Sequence, residues 1–371
     1  MDPQHVVLFS HNEQSHIAPM FALARLLASQ SQSLRVTCAL PASSYASYCN
    51  NNASAQEHCE AFPVEPVSES LQHSSDDILL LQKKLEDGLI QLMQRLRPSP
   101  SFLIADFMYF TWAQEVADCL CVTLFLFCPF LATSLLVCCH LPELLQKGLL
   151  PFKPGMQDEV IDFIPGLMKG FRISDVPMDL LGRNSAELEA LDLLERCKPC
   201  AGLVLCSTSK ALEVEAEAID ALVAHGLRIY PMGPLLHMNS CNKSPLLYRE
   251  DDRCVGWLGR HPVGSVVYAS FGSIIPLTKE EIRELALGLE ACGQPFLWVI
   301  RRIEGDADVM SVLPPGFLER INNKGLVVSW APQMAVLSHP SVGCFLFHGG
   351  LGSLVEAIWA GVPMIGGFYK I

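Results

Sequence analysis

Short apolar stretches alternate with longer stretches of helical periodicity along this chain, and this alternation constrains its fold more than any other feature. Parallel strands need long crossover connections, so the pattern predicts an α/β fold with helices on both faces of a parallel sheet. In the first half, the predicted strands are residues 5–10, 35–40, 102–105, 122–128 and 202–206. The predicted helices there are residues 19–28, 76–96, 111–119 and 131–145, and residues 43–52 are predicted to be a loop.

The alternation stops at a segment rich in Pro, Gly, Asn and Ser, and it then starts again. We therefore predict an N-terminal domain of residues 1–235, a linker of residues 236–250 and a C-terminal domain of residues 251–371. Doubly wound, Rossmann-like domains bind ligands beyond the carboxyl ends of their strands, here in the cleft that the two domains would face. In the second domain the predicted strands are residues 265–270, 296–300, 325–329, 342–347 and 362–365, and the predicted helices are residues 279–292 and 354–361.

The composition argues against several classes of partner. With 26 basic and 39 acidic residues, the net charge of −13 disfavours binding to nucleic acid or to an anionic membrane surface. Residues 119–139 carry no charged side chain, but Pro129 divides them, which favours a strand and a buried helix over a membrane span. The start of the chain lacks the basic and apolar segments of a secretory signal, which predicts a cytoplasmic protein with reduced cysteines. We also expect a monomer.

Cys197 and Cys200 have the spacing of a redox pair or of half a zinc site. No second pair of ligands follows at the distance that a zinc site needs, and the motif precedes a predicted strand instead of opening a helix. We therefore interpret both thiols as structural, and we expect no metal site in this chain.

The most specific stretch of the sequence lies between Trp330 and Glu356. Trp330, a flat aromatic side chain, follows a predicted strand, and the next predicted strand runs into the sequence His348-Gly-Gly-Leu-Gly-Ser353. Glycines let the backbone approach a phosphate, and free N–H groups at a helix start favour its negative charge. His348 adds a further donor, and Glu356 lies one turn into the helix, where it can reach ribose hydroxyls. The stretch thus predicts a site for a nucleotide.

These residues resemble the signature motif of the plant UDP-sugar-dependent small-molecule glycosyltransferases, and shorter matches cover nearly the whole chain. The resemblance implies a GT-B fold, a UDP-sugar as donor substrate and no cofactor. It also implies that Trp330 stacks on uracil, that His348 contacts the diphosphate and that Glu356 holds the ribose. The donor-binding residues implied in this way are Ser273, Trp330, Ala331, Gln333, His348, Gly350, Gly352, Ser353 and Glu356.

Two positions depart from the pattern of this family, which has Trp and Asn where this chain has Leu351 and Gly352. In the family the Asn donates to the sugar phosphate, and losing a hydrogen bond to a charged group costs about 1.5–3 kcal/mol.

The family motif closes with an acidic residue and a glutamine that bind the sugar. These would fall just after Ile371, so we expect the second domain to be truncated. The glycines at 350 and 352 also fit a dinucleotide fingerprint, although Val355 stands at its third glycine position.

A candidate general base lies in the first domain. His16 follows the first predicted strand, in the segment Gln14-Ser-His-Ile-Ala-Pro-Met20, and Asp106 comes directly after the predicted strand of residues 102–105. An imidazole can take the proton of an attacking hydroxyl near neutral pH, and a carboxylate on its other nitrogen fixes the tautomer. Both segments resemble segments of the same family, which implies that His16 is the catalytic base and that Asp106 holds it.

We therefore predict the inverting, metal-independent transfer of a sugar, with glucose the usual one in this family, from UDP to a hydroxyl of an apolar small molecule. Flavonoids, phenolics and terpenoids are the acceptors that the resemblance implies. No metal is needed in this scheme, because the helix start and His348 neutralise the leaving diphosphate. The alternative is a truncated or degenerate paralogue that binds a small molecule or a nucleotide without catalysis, and the substitutions at Leu351 and Gly352 favour it.

Overall fold

A computed structural model describes residues 4–31, 33–51, 60–64, 75–181, 197–211, 213–235, 250–272, 277–301 and 309–366. The chain divides into two compact units, Met1–Leu247 and Tyr248–Lys370. Apart from its last residue, the predicted linker of residues 236–250 lies outside the described residues.

Each described strand of the first unit pairs in parallel with its neighbours in one sheet. The strands are β1 (Gln4–Phe9), β2 (Leu34–Pro41), β3 (Glu60–Val64), β4 (Phe102–Asp106), β5 (Thr123–Cys128), β6 (Gly202–Leu205) and β7 (Ile229–Pro231). The helices are α1 (Gln14–Gln30), α2 (Ala42–Asn51), α3 (Ser75–Arg95), α4 (Ala113–Leu120), α5 (Ala132–Cys139), α6 (Leu141–Gln146), α7 (Met178–Leu181) and α8 (Glu213–Ala224). The strand order is β3-β2-β1-β4-β5-β6-β7, so the winding direction reverses between β1 and β4.

The central strands of this sheet are apolar on both faces because helices cover both of them. Val7, Leu8 and Phe9 of β1 are completely buried, as are Leu103 and Ala105 of β4. Short 3₁₀ turns, Phe107–Tyr109 and Ile173–Asp175, interrupt the connections. The buried ends of β1 and β4 thus lie side by side at the reversal point, where ligands bind in sheets of this kind.

The second unit repeats this plan with a smaller parallel sheet. Its strands are β8 (Val266–Ser270), β9 (Phe296–Val299), β10 (Gly325–Val328), β11 (Val342–Phe347) and β12 (Met364–Gly366). Its helices are α9 (Arg253–Leu258), α10 (Lys279–Ala291), α11 (Val309–Val312), α12 (Phe317–Arg320), α13 (Gln333–Leu337) and α14 (Leu351–Ala360). The order β10-β9-β8-β11-β12 reverses between β8 and β11.

Alternating side chains of β9 serve two different cores on the two faces of this sheet. Phe296 and Trp298 pack with α10 and α12, whereas Leu297 and Val299 pack with β8 and β11 on the other face. Helix α10 begins with a capping box, in which Thr278 accepts from the Glu281 backbone and Glu281 bonds back to Thr278.

The uncharged stretch of residues 119–139 forms a strand and a helix, β5 and α5, which confirms that interpretation. Within the described ranges, no helix is both long enough and apolar enough to cross a bilayer. The alternation of strands and helices in both halves is likewise confirmed, although β3 and β7 were not predicted.

Several element boundaries differ from the prediction. Residues 43–52 were predicted to be a loop, but most of them form α2, because Tyr48 is buried against the Phe21 ring, 5.1 Å away between centroids. The predicted helix of residues 131–145 is two helices, since Pro142 cannot donate a backbone hydrogen bond across the break. Tertiary packing thus forms α2 in spite of its weak helix propensity, and the missing backbone donor of Pro142 separates α5 from α6.

Two predicted helices begin earlier than expected. Helix α1 starts at Gln14 instead of Pro19, because the backbone N–H groups of His16 and Ile17 both donate to Glu13. Helix α14 starts at Leu351 instead of Leu354, since the Leu354 N–H donates to the Gly350 carbonyl at 2.9 Å. Both corrections place predicted site residues in the first turn of a helix.

Candidate active site

In the first unit, a histidine and a carboxylate meet at the reversal point of the sheet. His16 lies in the first turn of α1, which follows β1, and Asp106 is the last residue of the adjacent strand β4. The His16 Nδ1 atom lies 2.9 Å from the Asp106 Oδ2 atom, and the side chains are 15% and 0% exposed. Because a carboxylate accepts, Nδ1 carries the proton and the lone pair of Nε2 is available to act as a base.

A second hydrogen bond fixes the carboxylate of Asp106. Its Oδ1 atom accepts from the Met108 backbone N–H at 3.0 Å and thereby caps the 3₁₀ turn of Phe107–Tyr109. A buried carboxylate that is bonded on both oxygens has little freedom to turn. The position of the His16 ring is therefore determined by the end of β4 as well as by its own helix.

Two further aromatic residues that the sequence did not single out surround this pair. The His11 ring lies 5.1 Å from the His16 ring and 6.0 Å from the Tyr109 ring, measured between centroids. Burial, reinforced by His16 and opposed by Asp106, lowers the pKa of His11 to about 4. Burial also raises the pKa of Tyr109 well above its ordinary value. Both side chains are therefore neutral near pH 7 and add no charge beside His16.

In the second unit, the predicted diphosphate residue His348 lies at the corresponding reversal point. It follows β11, whose last residue pairs with Ser270 at the end of β8. A β-carbon at Gly272, which has a φ of +83°, would lie 2.6 Å from the His348 Nε2 atom, and one at Gly350 would also collide with it. The two glycines thus leave the space that the imidazole fills.

The protonation of His348 follows from these surroundings. Burial lowers its pKa, and a hydrogen bond to the Ser270 backbone opposes that shift. Among the described residues, its buried Nδ1 atom has no hydrogen-bond partner. His348 is thus a neutral imidazole beside the N-terminus of α14, where the backbone N–H groups of the first turn lack intrahelical acceptors.

Three predicted donor-binding residues meet in one polar network. The Gln333 Nε2 atom, at the start of α13, donates to Ser353 Oγ at 2.9 Å and to Glu356 Oε2 at 2.6 Å. The Gln333 Oε1 atom accepts from the Tyr268 hydroxyl at 3.1 Å. Burial raises the pKa of Glu356, and the bond from Gln333 opposes this shift. Helices α13 and α14 therefore present an amide, a hydroxyl and a carboxylate together.

The other predicted donor-binding residues are placed as follows. Trp330 follows β10 and is half-buried, with the Arg301 guanidinium 5.4 Å from its ring centroid. Ala331 is buried in the core, so only its backbone is available to a ligand. A β-carbon at Gly352 would meet no atom within 4 Å. Ser273 lies outside the described residues.

The structure also describes the two cysteines with redox-type spacing. Cys197 and Cys200 are buried, and the Cys200 thiol donates to the Cys197 carbonyl. Burial raises the pKa of the Cys200 thiol to about 11, so it remains protonated near pH 7. In the described part of the chain, no three His, Cys, Asp or Glu side chains are grouped so that they could hold a metal ion.

Sequence reasoning missed His11, Tyr109 and Tyr268 for different reasons. His11 and Tyr109 each follow a predicted strand within a few residues, which was the available signal. Tyr268 lies inside a predicted strand, where an aromatic ring is expected for packing, so its hydroxyl gave no sign of a site. Only the pairing of β8 with β11 brings it near α13.

The comparisons with known proteins agree with this architecture. Residues 240–368 match the family described as UDP-glucoronosyl and UDP-glucosyl transferase. The chain is 32% identical over 395 residues to the 7-deoxyloganetin glucosyltransferase of Catharanthus roseus, covering 97% of this chain and 79% of that protein. The chain thus spans about four fifths of the length of this relative.

Solved structures show the same fold over nearly the whole chain. TcCGT1 in complex with UDP has a TM-score of 0.81 at 27% identity, covering 98% of this chain and 80% of its own. Phytolacca americana UGT2, complexed with UDP-2-fluoro-glucose and pterostilbene, has a TM-score of 0.78 at 29% identity, with coverages of 98% and 80%. The dinucleotide alternative gains no support from these matches. The chain therefore belongs to the plant-type UDP-glycosyltransferases and has their two-domain α/β fold of the GT-B type.

Proposed function

We propose that this chain transfers glucose from UDP-glucose to a hydroxyl of an apolar small molecule, with inversion at the anomeric carbon and without a metal ion. The observation that carries the proposal is the 2.9 Å hydrogen bond between His16 Nδ1 and the fully buried Asp106 Oδ2. This bond leaves Nε2 free to act as a base, and a hydroxyl acceptor needs such a base as it attacks.

In the proposed reaction, Nε2 of His16 takes the proton of the acceptor hydroxyl. The hydroxyl oxygen forms a bond to the anomeric carbon while the bond from that carbon to the UDP oxygen breaks, and the electron pair leaves with UDP. The buried carboxylate of Asp106 stabilises the imidazolium that forms. A single displacement from the face opposite UDP inverts the anomeric configuration.

The second unit would hold the donor. Trp330 would stack on the uracil, and Gln333 and Glu356 would lie at the nucleoside, with Glu356 accepting from ribose hydroxyls. His348, Ser353 and the backbone at Gly350 and Gly352 would meet the diphosphate. The N-terminal end of α14 favours the charge that develops on the leaving group, which is why we propose that no metal is required.

The names of the relatives support the class of acceptor. One relative is a glucosyltransferase named for 7-deoxyloganetin, and the Phytolacca americana enzyme was complexed with pterostilbene. We therefore propose that the acceptor is a hydroxylated small molecule of low polarity, such as a phenolic or a terpenoid.

The first experiment combines calorimetry of UDP binding with an assay of transfer from UDP-glucose to pterostilbene, with and without EDTA. We expect a product with one added hexosyl group in the β configuration, formed equally in EDTA. We expect Trp330→Ala to weaken UDP binding roughly 5- to 150-fold, because stacking on an aromatic contributes about 1–3 kcal/mol per base. A retained anomeric configuration or a loss of activity in EDTA would contradict the proposed mechanism.

A second candidate function is nucleotide binding without turnover. The specific observation in its favour is that Leu351 and Gly352 stand where the family has Trp and Asn. UDP binding by a folded chain that transfers no sugar to any of a panel of phenols and terpenoid alcohols would favour this candidate over the first.

A further inference from the structure

Tyr268 is a buried tyrosine whose hydroxyl the protein core does not require. Its side chain is 1% exposed, and its ring stacks on Phe345 with centroids 4.8 Å apart and planes 10° apart. A phenylalanine would satisfy this stacking equally well. Burying a hydroxyl costs free energy unless it is hydrogen-bonded, so its partners show what it contributes.

The partners of this hydroxyl lead directly to the candidate nucleotide site. It donates to Gln333 Oε1 at 3.1 Å, and the Ser270 side chain forms a further hydrogen bond with it. Burial raises the pKa of Tyr268 far above its ordinary value, so the phenol keeps its proton and remains a donor. The phenol can therefore donate one hydrogen bond, and the Gln333 Oε1 atom accepts it.

A side-chain amide has one accepting end and one donating end. With Oε1 held by the phenol, the Gln333 Nε2 atom faces Ser353 and Glu356, at 2.9 Å and 2.6 Å. The reversed amide would bring its oxygen against the Glu356 carboxylate and its NH₂ group against a phenolic donor. Tyr268 and Glu356 thus fix the amide from opposite ends, and the buried, stacked ring of Tyr268 is the rigid one of the two.

We propose that Tyr268 is a positioning residue of the nucleotide site, which acts through Gln333 to hold Glu356 in the orientation that receives the ribose hydroxyls. This inference rests on the proposed function, since it assumes that the ligand is a uridine nucleotide. The Tyr268 hydroxyl would not touch the ligand itself, because Gln333 and Glu356 lie between them.

The test compares two ligands by calorimetry on the 371-residue chain: UDP and 2′,3′-dideoxy-UDP, which lacks both ribose hydroxyls. We expect Tyr268→Phe to weaken UDP binding roughly 3- to 10-fold, the value of one net hydrogen bond of about 1 kcal/mol. The same variant should bind the dideoxy analogue within twofold of the parent chain, because no ribose hydroxyl is left to position. A merely structural defect would weaken both ligands equally, and this result would overturn the inference.

Two further variants complete the test. In a Gln333→Ala background, Tyr268→Phe should have no additional effect on UDP binding, whereas independent, additive losses would contradict action through Gln333. Tyr230→Phe, a tyrosine of β7 in the first unit that is 45% exposed, serves as the matched control and should change neither affinity. If the parent chain binds UDP but Tyr268→Phe binds it equally well, only this inference fails. If the folded parent chain does not bind UDP, the proposed function fails first.

Discussion

At the scale of single residues, Gly352 is the departure from the family pattern that is simplest to reverse. It lies in the first turn of α14, and a β-carbon there would meet no atom within 4 Å. We expect Gly352→Asn, which restores the side-chain donor of the family, to tighten UDP-glucose binding roughly 10- to 100-fold, the value of one hydrogen bond to a charged group. Calorimetry with UDP-glucose measures the change.

Gly352→Ala is the matched control for this substitution. It adds a β-carbon and removes the helix cost of glycine, about 1 kcal/mol, but it supplies no donor. Its affinity for UDP-glucose should stay within twofold of the parent chain. An equal gain in the alanine variant would show that helix stability, and not the new donor, caused the improvement.

The lowered pKa of His11 makes the free energy of unfolding of the first unit depend on pH. Its pKa in the folded chain is about 4, below the ordinary value of 6.5, so between these values the unfolded chain binds a proton that the folded chain does not. Its contribution to stability is therefore full above pH 6.5 and is lost as the pH falls towards 4. We expect this side chain alone to lower the free energy of unfolding by about 2 kcal/mol between pH 7 and pH 5.

Urea unfolding of the parent chain and of His11→Phe at pH 7 and pH 5 isolates this contribution. The variant keeps an aromatic ring but cannot titrate, so it should lose less stability over this interval. Equal losses in the two chains would show that His11 is protonated in the folded state as readily as in the unfolded state.

At the scale of elements, one carboxylate joins two helices of the first unit. Glu215 in α8 is 4% exposed and accepts from the Ala132 backbone N–H and from the Thr133 and Thr208 hydroxyls, at 2.5–2.6 Å. Ala132 and Thr133 open α5, so the carboxylate also lies at the positive end of that helix.

We expect Glu215→Ala to lower the free energy of unfolding by about 2–4 kcal/mol, because it leaves three buried donors without an acceptor. Glu217→Ala, at an exposed position of the same helix, is the control and should change stability by less than about 0.5 kcal/mol. Thermal and urea unfolding measure both. A loss in Glu215→Ala no larger than the control would mean that other groups replace the carboxylate.

At the scale of the whole molecule, the candidate base and the candidate nucleotide residues belong to different compact units. This division predicts separable effects on binding and on turnover. We expect His16→Ala to lower kcat about 10²- to 10⁴-fold, the usual contribution of a general base, while UDP affinity stays within twofold. Asp106→Asn, which keeps the size of the side chain, should also lower kcat.

Transfer assays and calorimetry on the same preparations test this separation. His16→Ala should have a much lower kcat and keep its nucleotide affinity, whereas Trp330→Ala should bind the nucleotide more weakly. A large fall in UDP affinity in His16→Ala would contradict the assignment of His16 to proton transfer alone.

Much of this protein followed from its sequence, because periodicity and side-chain chemistry are local. Buried strands such as β11 were predicted to the residue, and the short spacing from His348 to Glu356 already indicated a nucleotide site. The ends of α1 and α14 were not predicted, because a helix start depends on which backbone acceptors, here Glu13 and Gly350, come within reach.

Only the tertiary structure decided which distant side chains meet. His16 and Asp106 are 90 positions apart, and they come together because β1 and β4 are neighbours in the sheet. Tyr268 and Gln333 are 65 positions apart, and their contact depends on the packing of α13 beside β8 and β11. A sequence pattern records the residue types that a site needs, whereas strand order and helix packing determine which hydrogen bonds those residues form.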